Sequence, residues 1–162
     1  MPEKKTTERA QRAKRQGKAP STQAGAYVHE EIEHVRKGKH GAKSTKQAIA
    51  IGLSKARRAG VKVGAPKKAS AATRRKAEQD GAKSGSRTKP SAKRSAATRQ
   101  ALTHASKTSA STSALSQQAK TAAKKRTAAS RSAAAKKAAR TKGAKGRSAA
   151  AKKAARTRKR AA

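Results

Sequence analysis

Ile, Leu and Val together supply ten side chains to a chain of 162 residues, and Phe supplies none. That share lies far below the roughly 20% under which a highly charged chain is expected to stay disordered. A sizeable core is therefore not expected. Most of the remaining apolar content is alanine, which buries little area and chiefly favours helix. Eight of the ten large residues fall between Val28 and Val63, so organised structure is expected there.

Two helices are predicted in that stretch. Ser44 followed by Gln47 has the form of a capping box, and Gly60 after the run SKARRA suits the left-handed position that ends a helix. Between them Ile49, Gly52, Leu53, Ala56 and Ala59 share one side, with Gly52 small enough to admit a partner helix closely. Upstream, Ala24, Val28, Ile32 and Val35 recur at helical spacing with Tyr27 beside them and Gly38 as the stop. The fold class expected is mostly α and disordered: a short helical hairpin of about residues 22–37 and 45–59, joined by GKHGAK, with a long basic, helix-prone, low-complexity tail. Val28, Ile32, Val35, Ile49 and Leu53 would form the hairpin core. So small a core normally needs staples or oligomerisation, which predicts a homo-oligomer through the hairpin. The divisions are a polar N-terminal arm (1–20), the hairpin (21–65), a flexible basic linker (66–113) and an Ala/Lys/Arg-rich repeat tail (114–162).

Charge points to the partner. The net charge is +38, and after Asp80 there is no acid at all, while 24 of the 45 Lys and Arg residues lie there. RSAAAKKAART stands at residues 131–141 and again, unchanged, at 147–157. Such a one-signed block attracts polyanions by phosphate neutralisation, which carries little sequence information. The residues expected to bind nucleic acid are Lys124, Lys125, Arg126, Arg131, Lys136, Lys137, Arg140, Arg147, Lys152, Lys153, Arg156, Arg158, Lys159 and Arg160. Like charges four apart, such as Lys136 and Arg140, would keep the free tail mostly unstructured until it binds. The function expected is sequence-non-specific binding of duplex DNA by the tail, histone-like and nucleoid-associated. Alternatives are an RNA- or ribosome-associated assembly factor, and a protein-interaction hairpin with the tail as localiser.

Other chemistries find little support. HEEIEH at residues 29–34 resembles a zinc-protease signature, but three residues separate Glu30 from His34 and the two His lie about 140° apart on a helix, so no metal is expected. Glu31 falls inside an apolar stripe, which could mark a functional carboxylate, but it is expected instead to snorkel or to meet a cation across the hairpin. No phosphate loop, dinucleotide fingerprint or activated nucleophile is visible, which predicts a non-enzyme without cofactors. Tyr27 is the sole aromatic residue, so base stacking of the kind single-strand binders use is missing. There is no cysteine, and the longest apolar run, Ala48 to Leu53, is too short for a signal-peptide core or a membrane span; the chain reads as soluble, intracellular and away from membranes.

The tail, with its AAAKKAART units, resembles the Ala/Lys-rich tails of linker histones and of bacterial histone-like proteins. Residues 18–63, KAPSTQAGAYVHEEIEHVRKGKHGAKSTKQAIAIGLSKARRAGVKV, resemble a family of small, very basic bacterial proteins of uncharacterised function, and SALSQQAKTAAKKR at 113–126 resembles a second block of it. The resemblance brings no catalytic residue. It implies a bacterial source and a cytoplasmic, nucleoid-associated location.

Overall fold

The seam of the hairpin is made from the smallest side chains. In the computed structural model, which describes residues 2–66, 69–86 and 91–161 (the side chains of Arg160 and Ala161 excepted), α1 is Lys4–Arg15, α2 is Pro20–Arg36 and α3 is Thr45–Arg58. Pro20, whose missing N–H costs nothing in a first turn, opens α2. Ser44 Oγ accepts from Gln47 N at 3.2 Å to open α3, while Gln47 Oε1 reaches back to Lys43 N at 2.7 Å. Gly60 closes α3 at φ +86°, where Val61 N bonds the carbonyl of Ala56 at 3.0 Å. Both helices thus fall where their sequence signals placed them.

Between α2 and α3, Ala24, Ala48, Gly52 and Ala56 are buried. A Cβ on Gly52 would stand 2.7 Å from Val28 Cα, so the two backbones nearly touch. Only Val35 of the five expected core residues is fully buried; Ile32 and Leu53 pack against the core from its margin, and Val28 and Ile49 are half-buried. Close approach of small residues puts backbone and Cβ atoms in contact, and dispersion summed over many such contacts stands in for a few large side chains. Tyr27, 1% exposed, is the bulkiest apolar member and packs with Ala10, Ala24, Ala56 and Val61.

The hairpin is not left to itself. α1 lays Thr6 and Ala10 on α2, and α4 (Ala71–Ala82) joins α3 through Arg58 and Asp80. α5 (Ala92–Thr103) leads to a 3-10 turn, Thr108–Ala110, whose Ala110 enters a second buried cluster with Val35, Ala42 and Ala48. Thr45 Oγ1 donates to Ser109 O at 2.6 Å and Arg36 Nε to Ala110 O at 2.9 Å, clasping this turn to both hairpin helices. The chain divides into two compact units, Met1–Gln118 and Ala119–Ala162. The first holds everything named so far and the opening of α6 (Thr112–Lys124); the second holds the end of α6 and α7 (Ala128–Ala161).

The expected fold class is corrected here. Residues beyond the hairpin were expected to be disordered, yet α4 to α7 cover most of them, and the first unit is a helical fold with buried ion pairs rather than a bare hairpin. The count of large apolar residues underestimated what alanine at helix crossings can bury. The free tail, too, is helical without a partner. Thr127 Oγ1 caps its start on Ser130 N, and Thr141 and Thr157 each bond the carbonyl four residues back. Alanine's propensity over so long a run outweighs the repulsion of exposed cations, which water and salt screen. α7 breaks once, at Gly143 (φ +64°, ψ 175°), between the two copies of the repeat.

Candidate functional site

The seven acids of this very basic chain all lie in the first eighty residues, and most of them are used internally. Glu30 and Glu31 sit side by side on α2, both buried, and their carboxylates leave the helix toward different partners. Glu30 receives Glu3 N at 3.3 Å on each oxygen, holding the start of α1. The Glu3 side chain in turn accepts from His34 Nε2 at 3.0 Å and from Lys39 Nζ at 3.2 Å. These bonds, that of His34 first and that of Lys39 next, hold its pKa well below the ordinary 4.5, at about 2.

Glu31, fully buried, is the centre of the arrangement. Its Oε2 accepts from Lys55 Nζ of α3 at 2.5 Å, the cation across the hairpin that its sequence position implied. Its Oε1 lies 3.3 Å from His40 Nε2 but accepts no hydrogen bond. His40 belongs to the connector between α2 and α3, and that connector is held rigidly. Gly41 N donates to Leu102 O at 2.7 Å and Ala42 N to Ser106 O at 2.9 Å, and any side chain at Gly41 would collide with the carbonyl of Ala105. His40 Nδ1 donates to Gly41 O at 3.1 Å, which fixes the ring. The rings of His34 and His40 meet edge to face with centroids 6.2 Å apart, and one ligand atom from each of Glu31, His34 and His40 lies within 4.8 Å of the others. These three residues could hold a metal ion. His29, the other histidine of the HEEIEH run, is exposed and takes no part. The sequence pattern directed attention to the wrong pair, because the second histidine comes from the connector and not from the helix.

A third buried carboxylate, Asp80, ties α4 to α3. Burial opposes its ionisation, but hydrogen bonds from Ser54 and Arg58 and the charges of Arg58 and Lys76 outweigh that and lower its pKa. Arg58 Nε and Nη2 reach Oδ1 at 3.2 and 3.0 Å.

With most of the acids so engaged, the outer face of α1 is predominantly cationic, with exposed Glu8 the one acid on it. Lys5, Arg9 and Arg12 fall in one stripe, flanked by Lys4 and Arg15, and all five are exposed. α1 lies in the stretch read beforehand as a polar arm, because it carries no large apolar residue. The residues expected to bind nucleic acid lie elsewhere. Lys124 ends α6, Lys125 and Arg126 occupy the turn after it, and Arg131, Lys136, Lys137, Arg140, Arg147, Lys152, Lys153, Arg156, Arg158 and Lys159 are spread along α7, all exposed. The side chain of Arg160 lies outside the described residues. Lys152, Lys153 and Arg156 come together with Ala149 and Thr157 around a shallow depression, and Arg147 Nη1 reaches over the break to Ala139 O at 3.2 Å.

Tail-driven, histone-like coating of duplex DNA is thereby corrected. It required a disordered, low-complexity segment able to spread its charges along phosphates, and the segment is a folded helix with charges at fixed positions, in a chain whose first unit is globular with internal ion pairs.

Residues 3–69 match the model of the Family of unknown function (DUF6496). The DUF6496 match takes in α1, α2 and α3, and with them Glu3, Glu30, Glu31, His34, His40 and Lys55; α7 lies outside it. No curated protein and no solved structure matches the chain. Among the described residues no helix is long and apolar enough to cross a membrane.

Proposed function

We propose that the chain acts by binding rather than by catalysis, that its partner is nucleic acid, DNA or RNA, and that the folded first unit meets that partner with the outer face of α1. The observation that carries this reading is the sorting of charge in the first unit. Glu30, Glu31 and Asp80 are buried and Glu3 and Glu33 are paired, whereas Lys4, Lys5, Arg9, Arg12 and Arg15 stand exposed on one helix that carries a single acid, Glu8, also exposed. A helix docked by Thr6 and Ala10 presents those cations on an already ordered backbone, so binding carries no backbone-ordering cost. Burial of Tyr27 removes the sole aromatic from any role in base stacking, which leaves phosphates and backbone shape as what α1 reads. A DNA partner implies a cytoplasmic, nucleoid-associated location. Self-association contributes less to the reading, because α1, α4 and the turn at Thr108–Ala110 supply from the same chain the cover that a second copy was expected to supply.

Fluorescence anisotropy on a duplex and on a hairpin RNA tests the assignment. Replacing Lys5, Arg9 and Arg12 with Ala in the full chain should weaken binding about tenfold or more at 150 mM salt and reduce the salt slope by roughly 2 to 3. The matching replacement of Lys152, Lys153 and Arg156 should cost less. If the second triple variant loses as much as the first, α1 is not the binding face.

A further inference from the structure

The cluster at the α2–α3 connector contains an unfavourable juxtaposition that a cation would resolve. A backbone carbonyl can only accept, so the bond from His40 Nδ1 to Gly41 O places the ring proton on Nδ1 and leaves the Nε2 lone pair facing outward. What it faces, 3.3 Å away, is Glu31 Oε1, itself an acceptor, wholly buried and without a hydrogen bond. Two acceptors in that relation repel unless something positive lies between them. A proton on Nε2 does not satisfy the geometry of a hydrogen bond to Oε1, although the distance would permit one. The separation is, on the other hand, that of two ligands of one tetrahedral ion, which stand about 3.3 Å apart when each lies roughly 2.0–2.1 Å from the metal.

The third donor, from His34, lies within 4.8 Å of the other two and has an outer partner. His34 Nε2 gives its proton to Glu3, so in the neutral ring the lone pair belongs to the other nitrogen, and a carboxylate on one imidazole nitrogen is the usual outer partner of a histidine that binds metal through the second. His40 has the equivalent support from the Gly41 carbonyl, and the connector is clasped by Leu102 and Ser106. Charge agrees. Within the network the carboxylates of Glu3, Glu30 and Glu31 outnumber the ammonium groups of Lys39 and Lys55, so with neutral imidazoles the cluster is locally anionic in a chain that is otherwise strongly cationic.

We propose that Glu31, His34 and His40 form a binding site for one first-row divalent metal ion, with zinc the ion that two imidazoles and one carboxylate suit best. Bound there, the ion joins α2 to the connector that leads into α3, and so stabilises the hairpin. The fourth position is free for water. This is independent of the nucleic-acid reading, because none of the exposed α1 cations is a ligand.

The test uses the full chain, freed of metal with a chelator and titrated with zinc chloride by calorimetry, and with cobalt(II) as a visible-absorption probe. One ion per chain should bind, cobalt should show the intense bands of a tetrahedral site, and the melting temperature should rise with zinc. His34→Ala, His40→Gln and Glu31→Gln should each weaken binding by more than the 10- to 100-fold that loss of an outer partner costs. His29→Ala and His104→Ala, at exposed positions, should leave it unchanged. Circular dichroism confirms that each variant is folded, and Glu31→Gln, which keeps the size of the side chain, guards against loss of the hairpin. Failure of the unaltered chain to bind one zinc ion overturns the proposal. So does equal weakening by His29→Ala, or a Glu31→Gln chain that melts lower yet binds zinc as before, since Glu31 would then be only the ion-pair partner of Lys55.

Discussion

α2 and α7 are both helices of an alanine-containing basic chain, but they are held by different means. α2 is fixed by other segments: Ala24 and Tyr27 pack against Ala10 and Ala56, Glu30 holds the start of α1, and Glu31 holds Lys55 of α3. α7 contains no acid, and the hydrogen bonds of its described side chains involve its own backbone or the turn before it: Thr141 and Thr157 bond carbonyls within the helix, and Ser130 accepts from Arg126 of that turn. The difference lies in where the seven acids stand. In a chain of net charge +38, the acids of α2 and α4 add ion pairs to the packing of the first unit, and α7 has none to add.

Damage to the α2–α3 crossing should have the largest effect. Gly52→Val brings a branched side chain against Val28 Cα, where backbone and not a flexible side chain must give way, at a cost of about 3 kcal/mol. The first unit should lose its cooperative melting, read by urea denaturation, while the helical signal of α7 persists. If the signals of both regions vanish together, they are not held independently.

Asp80→Ala should follow. The carboxylate is buried but Arg58 is half exposed, so water screens the pair and the expected loss is about 1 kcal/mol, confined to the first unit. Ala154→Gly offers the complement. In the middle of an exposed helix it should cost roughly 0.5–1 kcal/mol of local helix and leave the melting of the first unit where it was.

Acid offers a smaller effect that separates the regions. Glu3 has a folded pKa depressed from 4.5 to about 2, so it stabilises the docking of α1 above its ordinary value, and that contribution is lost as pH falls from about 4.5 through about 2. Asp80, also depressed, acts in the same direction as pH falls below 3.8. α7, lacking acids, should show no transition in that window by circular dichroism of a chain reporting on both regions.

The positions of α2 and α3 were legible because their signals are local: Ser44 with Gln47, Gly38 and Gly60, and a 3.6-residue repeat of apolar residues. Gly52 was legible for the same reason, as a small residue within an apolar stripe. What failed was the inference from few large residues to little structure. Ala24, Ala48, Ala56 and Ala110 carry the crossings, and an alanine at a crossing cannot be told from one on a surface without knowing what it faces. His40 was hidden for a related reason, since its meeting with Glu31 depends on a connector clasped by residues more than sixty positions later.

Amide hydrogen exchange on the full chain at neutral pH, without nucleic acid, tests the central claim that the first unit is a packed fold and α7 a locally held helix. Slow exchange is expected across the Ala24–Val35 and Ala48–Ala56 stretches, with intermediate protection along residues 130–155 that Gly52→Val leaves unchanged. Exchange at the rate of an unfolded chain throughout residues 20–60 would contradict it.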